Sequence, residues 1–184
     1  MNDDISKRHH AVYSSGQVPE FDYSSVGEHL MAGRNPLSAR DIHISKGLGV
    51  THLLDLREVG EWAAPRFGLE ALREAQSAGL KREHLPIVDM GAPTQDDLTR
   101  AVASIEEALS EPGAIVYVHC RAGMERTAAV LIAFHAGKHG RSYEQALQEL
   151  RRGRGILRPL PNQERAVRLW LANNGQGQRG SAST

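Results

Sequence analysis

The segment 126–138 is apolar on nearly every side: Ala128, Ala129, Val130, Leu131, Ile132, Ala133 and Phe134 follow one another without a polar face. A helix of that composition has no side to turn toward water, so other elements must wrap it. Shortly before it, residues 114–118 form a continuous apolar run that reads as a buried strand. A buried strand that feeds a central helix points to an α/β architecture. The turn between them contains the only cysteine of the chain, in the order His119-Cys120-Arg121-Ala122-Gly123-Met124-Glu125-Arg126-Thr127.

A loop that opens a helix N-terminus is an anion site, because its amides converge while the helix dipole favours negative charge. A cysteine placed there has a lowered pKa and is a thiolate near neutral pH. Most lone cysteines are inert core thiols. Here the flanking His, Gly, Arg and Thr argue for chemistry instead, since Arg126 carries a planar donor fork suited to phosphate.

The pattern His-Cys, five residues, Arg-Thr resembles the signature of the cysteine-dependent protein phosphatases. The chain as a whole is most similar to their compact dual-specificity branch. That resemblance implies a phosphate loop built from Arg121, Ala122, Gly123, Met124, Glu125 and Arg126. Cys120 would be the nucleophile, Arg126 the clamp on the phosphoryl oxygens, and Thr127 a hydroxyl donor to the sulfur. His119 is expected to face away from substrate and fix the loop by bonding backbone.

The acid should be a carboxyl group on a loop after a strand. Asp89, in Val88-Asp89-Met90-Gly91-Ala92-Pro93, fits, and the Asp with Gly and Pro following also resembles the kinase-associated members. Asp96 and Asp97 are better explained as first-turn helix residues. Glu125 departs from the usual dual-specificity loop and matches a Glu in rhodanese-like cell-cycle phosphatases, which leaves it as a supplementary or replacement acid. A solvated Glu paired with an arginine is the plainer account. Among Arg121, Arg151, Arg152, Arg154 and Arg158, the resemblance implies one arginine at the pocket wall. Arg158 is the choice, with surface solvation assigned to the rest. Asp55 and Arg57 are expected to form a supporting shell beneath the loop.

The remaining sequence bounds the setting. A chain of 184 residues suits one domain. Basic and acidic side chains balance at 22 each, which argues against a nucleic-acid partner. One cysteine excludes an internal disulfide and suits a reducing compartment. The polar start lacks a signal peptide's apolar core, and no apolar run approaches the ~20 residues of a membrane span. The expectation is a soluble, cytoplasmic monomer that uses no cofactor and no metal. The His9-His10 pair reads as part of a solvated tail.

Residues 1–21 are read as a mobile arm, 22–174 as the domain and 175–184 as a frayed tail. Strands are predicted at 28–32, 50–56, 82–88 and 114–118. Helices are predicted at 36–46 with Asn35 as cap, at 69–78, from Thr94 in a capping box with Asp97, at 126–138, from Ser142 with Gln145, and from Pro161. The expected fold is a single-domain, three-layer α/β sandwich with a mixed central sheet. The expected activity is hydrolysis of phosphate esters on protein tyrosine, and on serine or threonine, through a cysteinyl-phosphate. The alternatives are a phosphatase of inositol phosphates, phosphoinositides or another small phosphate ester, and a rhodanese-like sulfurtransferase. A phosphate-reading pseudo-enzyme has no need of the nucleophile.

Overall fold

The computed structural model describes residues 20–62 and 68–174. The His9-His10 pair, nearly all of the expected arm and the expected tail lie outside the described residues. Phe21, assigned to the arm from sequence, belongs to the domain: it is buried with Tyr117 and lies under the Arg34 guanidinium.

Among the described residues five strands form one sheet: β1 (Tyr23–Gly27), β2 (Leu30–Gly33), β3 (His52–Asp55), β4 (Lys81–His84) and β5 (Val116–His119). Their order is β1-β2-β5-β3-β4, with β1 antiparallel to β2 and the other neighbours parallel. Seven helices surround it among the described residues: α1 (Ala39–Gly47), α2 (Val59–Trp62), α3 (Leu69–Ser77), α4 (Gln95–Ser110), α5 (Arg126–His139), α6 (Tyr143–Gly153) and α7 (Pro161–Asn174). Alternate residues of the strands serve opposite faces, as the pleat requires. Leu30, Ala32, Leu54, Val116 and Val118 join the core under α4 to α7, while Met31, Leu53 and Tyr117 join the core under α1 and α3. The result is the expected three-layer sandwich. Helix α5, buried from Arg126 to Phe134, is its innermost element.

The helices with local start signals begin where sequence places them. Thr94 and Ser142 close full capping boxes with Asp97 and Gln145, and Pro161 opens α7. Three boundaries differ for physical reasons. Helix α1 starts at Ala39 with Ser38 as cap, because Asn35 is buried and gives its amide to the Arg121 carbonyl at 3.1 Å. Strand β4 stops at His84, ahead of Pro86, which has no N–H to continue a ladder. Strand β1 has only Val26 buried, too little for an apolar pattern, and it pairs with β2 through a tight turn at Glu28 and His29. No helix among the described residues is long and apolar enough to cross a membrane.

Candidate active site

Strands β2, β5, β3 and β4 run parallel and end at Gly33, His119, Asp55 and His84. Open α/β sheets form their sites beyond such carboxyl ends. Here β5 delivers Cys120 into the loop, and α5 begins at Arg126.

The loop is anchored by its carbonyl groups. His119 Nδ1 donates to the Cys120 carbonyl (3.3 Å) and the Asn35 amide to that of Arg121 (3.1 Å). Arg154 donates to the carbonyls of Ala122 (3.4 Å) and Gly123 (2.9 Å), and the Arg158 amide to that of Met124 (3.2 Å). The Glu125 carbonyl accepts the Ala129 amide, opening the α5 ladder. With these carbonyls drawn into the scaffold, amides are left for the centre of the loop, and those of Met124 and Thr127 reach the sulfur. The turn needs Gly123: its φ is +65°, and a Cβ there would stand 2.0 Å from the Gly33 carbonyl oxygen.

Burial pushes the Cys120 thiol up. The Arg126 charge, the Thr127 hydroxyl and the two amides outweigh it and hold the pKa below that of an ordinary thiol. Thr127 Oγ1 is buried with no hydrogen-bond partner among the described residues, and it is one of the groups that lower the Cys120 pKa. Helix α5 has no side-chain cap, unlike α4 and α6, and its first-turn amides are thereby kept for this role.

Arg126 lies beside the sulfur and is almost fully buried. Its Nη1 donates to Glu61 Oε2 (2.6 Å) and the Ile87 carbonyl (3.1 Å). Its Nη2 donates to Glu61 Oε1 (2.8 Å) and pairs with Asp89 Oδ1 (2.8 Å). Asp89 is therefore brought to the cysteine loop. Its amide donates to Glu58 Oε2 (2.9 Å), which ties the Asp89 loop to the residue just before α2. Burial raises the Glu61 pKa, but the Arg126 bonds and charge reverse the shift and keep the carboxylate ionised. Sequence reasoning missed Glu61. The available signal was an acidic pair, Glu58 and Glu61, directly after the strand end that carries Asp55 and Arg57.

Asp55 and Arg57 form a buried ion pair. The buried Asp55 carboxylate accepts from the Arg57 amide (3.1 Å), Arg57 Nε (2.9 Å), Arg57 Nη2 (2.8 Å) and Arg82 Nη2 (2.8 Å). Burial favours its neutral form, but His119, Arg57 and Arg82 outweigh that and hold its pKa well below the carboxylate range. His119 is buried at 3.7 Å from Asp55. Burial lowers its pKa to about 4 against the opposing pull of Asp55, so the imidazole is neutral at neutral pH.

Two arginines from the α6–α7 region reach the loop in different ways. Arg158 is exposed and contributes its backbone amide, whereas the buried Arg154 grips the loop from behind. Arg154 is neutralised by Asp22, which accepts from Nη1 (3.0 Å) and Nη2 (2.5 Å). Surface solvation therefore fails for Arg154. At the mouth, Arg121, Glu58, Gly60 and Glu61 line a cavity of about 300 Å³; Val59 at the start of α2 and Val88 and Met90 on the Asp89 loop are exposed. Another cleft, of about 350 Å³, opens between β4 and α4 where His52, Lys81 and Val116 begin their strands, at the end of the sheet away from Cys120. No group of three His, Cys, Asp or Glu among the described residues is arranged to hold a metal ion.

A family model described as "Polymorphic toxin system, DSP-PTPase phosphatase" matches residues 34–140, and the chain belongs to that family of phosphatases. This places it in the dual-specificity branch of the cysteine-dependent tyrosine phosphatase superfamily. Among curated relatives, it is 28% identical to the human (Homo sapiens) phosphatidylglycerophosphatase and protein-tyrosine phosphatase 1, over 77% of this chain and 69% of that protein. It is 29% identical to human dual specificity protein phosphatase 26, over 60% of this chain and 49% of the relative. The structure of PTPMT1 in complex with PI(5)P superposes with a TM-score of 0.74 at 24% identity, covering 86% of this chain and 99% of that one. Kinase associated phosphatase superposes with a TM-score of 0.73 at 20% identity, over 85% and 97%. These two superpositions show the shared fold.

Proposed function

We propose that the chain hydrolyses phosphate monoesters through a cysteinyl-phosphate, with protein phosphotyrosine, and phosphoserine or phosphothreonine, as substrates. The observation that carries this reading is the convergence of Cys120, Arg126 and Asp89 at one loop. The Cys120 thiolate attacks phosphorus, the bond to the leaving oxygen breaks, and Asp89 gives that oxygen its proton. Water then attacks phosphorus, the Asp89 carboxylate takes the water's proton, and the P–S bond breaks with Thr127 donating to the departing sulfur. Arg126 holds the phosphoryl oxygens. Both Nη groups are engaged in the free site, and Asp89, with 40% of its side chain exposed, is more displaceable than Glu61 at 12%. An arriving phosphate monoester monoanion exchanges with Asp89 on Nη2 and passes its proton to the freed carboxylate, which then holds the proton for the leaving oxygen while Glu61 keeps the guanidinium aimed. Arg154, Asp55, Arg57 and His119 act as scaffold.

The lone thiolate supports a reducing compartment, the cytoplasm, and a site made within one chain supports action as a monomer. A second reading, hydrolysis of a phosphoinositide or another lipid phosphate, is favoured by exposed Val59, Val88 and Met90 beside Arg121 at the mouth. The relative named as a phosphatidylglycerophosphatase and the PI(5)P complex of PTPMT1 agree with it. The sulfurtransferase alternative has no support in the family found. A panel of phosphotyrosine and phosphothreonine peptides against phosphoinositide vesicles separates the readings. The first predicts the higher kcat/KM on peptides. Turnover confined to vesicles overturns it in favour of the second, and no turnover on either overturns both.

A further inference from the structure

The Asp89 loop is a tight turn. The Gly91 amide donates to the Val88 carbonyl at 2.9 Å, so Asp89 and Met90 are its two central residues. Met90 sits at φ +59°, the only non-glycine residue with positive φ among those described. A left-handed conformation is unfavourable for an unbranched L-residue, and it persists where neighbours over-determine it. Gly91 is constrained as well, since a Cβ there would lie 2.9 Å from Val88 Cβ.

The neighbours that hold the turn come from the start of α7. Asn162 Nδ2 donates to the Met90 carbonyl at 3.0 Å, and Gln163 Nε2 donates to the Gly91 carbonyl at 3.0 Å. Two adjacent carboxamides thus take two adjacent carbonyls of the loop. Both are themselves fixed. Asn162 Oδ1 accepts the Gln163 amide (3.0 Å), and Gln163 Oε1 accepts the Leu160 amide (3.0 Å). Gln163 is fully buried, although it is polar and lies on a helix where an apolar residue would pack as well. Burying a carboxamide there is accounted for by the bonds it makes at each end. On the opposite side the turn is held by Glu58 through the Asp89 amide and by Arg126 through the carboxylate. When phosphate displaces Asp89 from Arg126, the bond on that side is released. The α7 carboxamides bind backbone, which substrate does not touch, and remain.

We propose that Asn162 and Gln163 are positioning residues for Asp89, a strap that fixes the strained turn so that the carboxyl meets the leaving oxygen after Arg126 has exchanged it for phosphate. The proposal rests on Asp89 as general acid. Its signature is selective. A loosened strap costs rate where the leaving group needs a proton, on phenyl phosphate, and little where it does not, on a dinitrophenyl phosphate.

The test compares Asn162→Ala, Gln163→Glu and Asp89→Asn, alone and combined, on both esters. Asn162 is half-exposed, so its variant is expected to fold. Gln163→Glu keeps the acceptor for Leu160 and loses the donor to Gly91. Asn162→Ala should lower kcat on phenyl phosphate about tenfold and on the dinitrophenyl ester less than about twofold, a part of the ~10²–10⁴ a general acid contributes. The acid-dependent limb of the pH–rate profile should weaken in parallel. In the Asp89→Asn background, Asn162→Ala should leave the ratio between the two esters unchanged. Equal losses on both esters, or an unchanged ratio in the single variants while Asp89→Asn remains selective, overturn the strap and leave the acid standing. An Asp89→Asn variant that is not selective removes the acid and the strap together.

Discussion

Cys120 and Arg126 are each set by a small number of named contacts. The thiolate is stabilised against its own burial by the Arg126 charge, the Thr127 hydroxyl and two amides. Removing the hydroxyl raises the thiol pKa, so Thr127→Val should shift the pH dependence of Cys120 alkylation by iodoacetate toward alkaline values. An unmoved profile would show that the hydroxyl does not serve the sulfur. Glu61 supplies a bidentate bond to Arg126, and charge-assisted pairs of this kind fix orientation as well as energy. Glu61→Gln keeps the shape and loses the charge. We expect kcat/KM on an aryl phosphate to fall about ten- to a hundredfold, the equivalent of one hydrogen bond to a charged group. A variant as active as the parent would show that Arg126 is aimed by the loop alone.

At the level of elements, what could be read from sequence tracks how local the cause is. Helices α4 and α6 announce themselves because both members of each capping box lie within one turn. The cysteine loop was legible for the same reason, being a strand end, a turn and a helix start in continuous sequence. Helix α2 is four residues long, too short for any period, and Glu61 acquires its meaning from Arg126, which is distant in sequence. Arg154 and Arg158 are both near the end of α6, and the choice between them depends on Asp22, at the far end of the chain, accepting from Arg154. A direct comparison checks that assignment. Arg154→Met should destabilise the fold by about 2 kcal/mol in denaturant titration, as expected for leaving buried loop carbonyls without their donor, and should also impair turnover. Arg158→Met should leave stability within about 0.5 kcal/mol, as an exposed substitution does. The reverse order of effects would restore Arg158 as the supporting arginine.

For the whole molecule, the sheet and α5 act as a scaffold whose polar centre is the His119–Asp55–Arg57 set. The unfolded chain protonates His119 near 6.5, whereas the folded chain does so only near about 4. Between those values the unfolded state binds the additional proton, so stability falls as pH drops from about 6.5 toward about 4. The depressed Asp55 adds in the same sense at lower pH, because its pairing is complete above the ordinary aspartate pKa and is lost as acid titrates it. His119→Asn, which keeps a donor near the Cys120 carbonyl, should flatten the loss between about pH 6.5 and about pH 4 in thermal melts. An unchanged slope would place the acid sensitivity elsewhere. In the proposed mechanism this scaffolding serves one event, the transfer of a phosphoryl group to sulfur. The most direct measurement of that event is rapid acid quench of the enzyme with an aryl phosphate, followed by mass spectrometry of the Cys120 peptide. The prediction is a peptide heavier by one phosphoryl group on Cys120, formed at a rate no slower than turnover and absent in Cys120→Ser, which does not turn over. Sustained turnover with no phosphoryl group on Cys120, or turnover retained by Cys120→Ser, would contradict the covalent route.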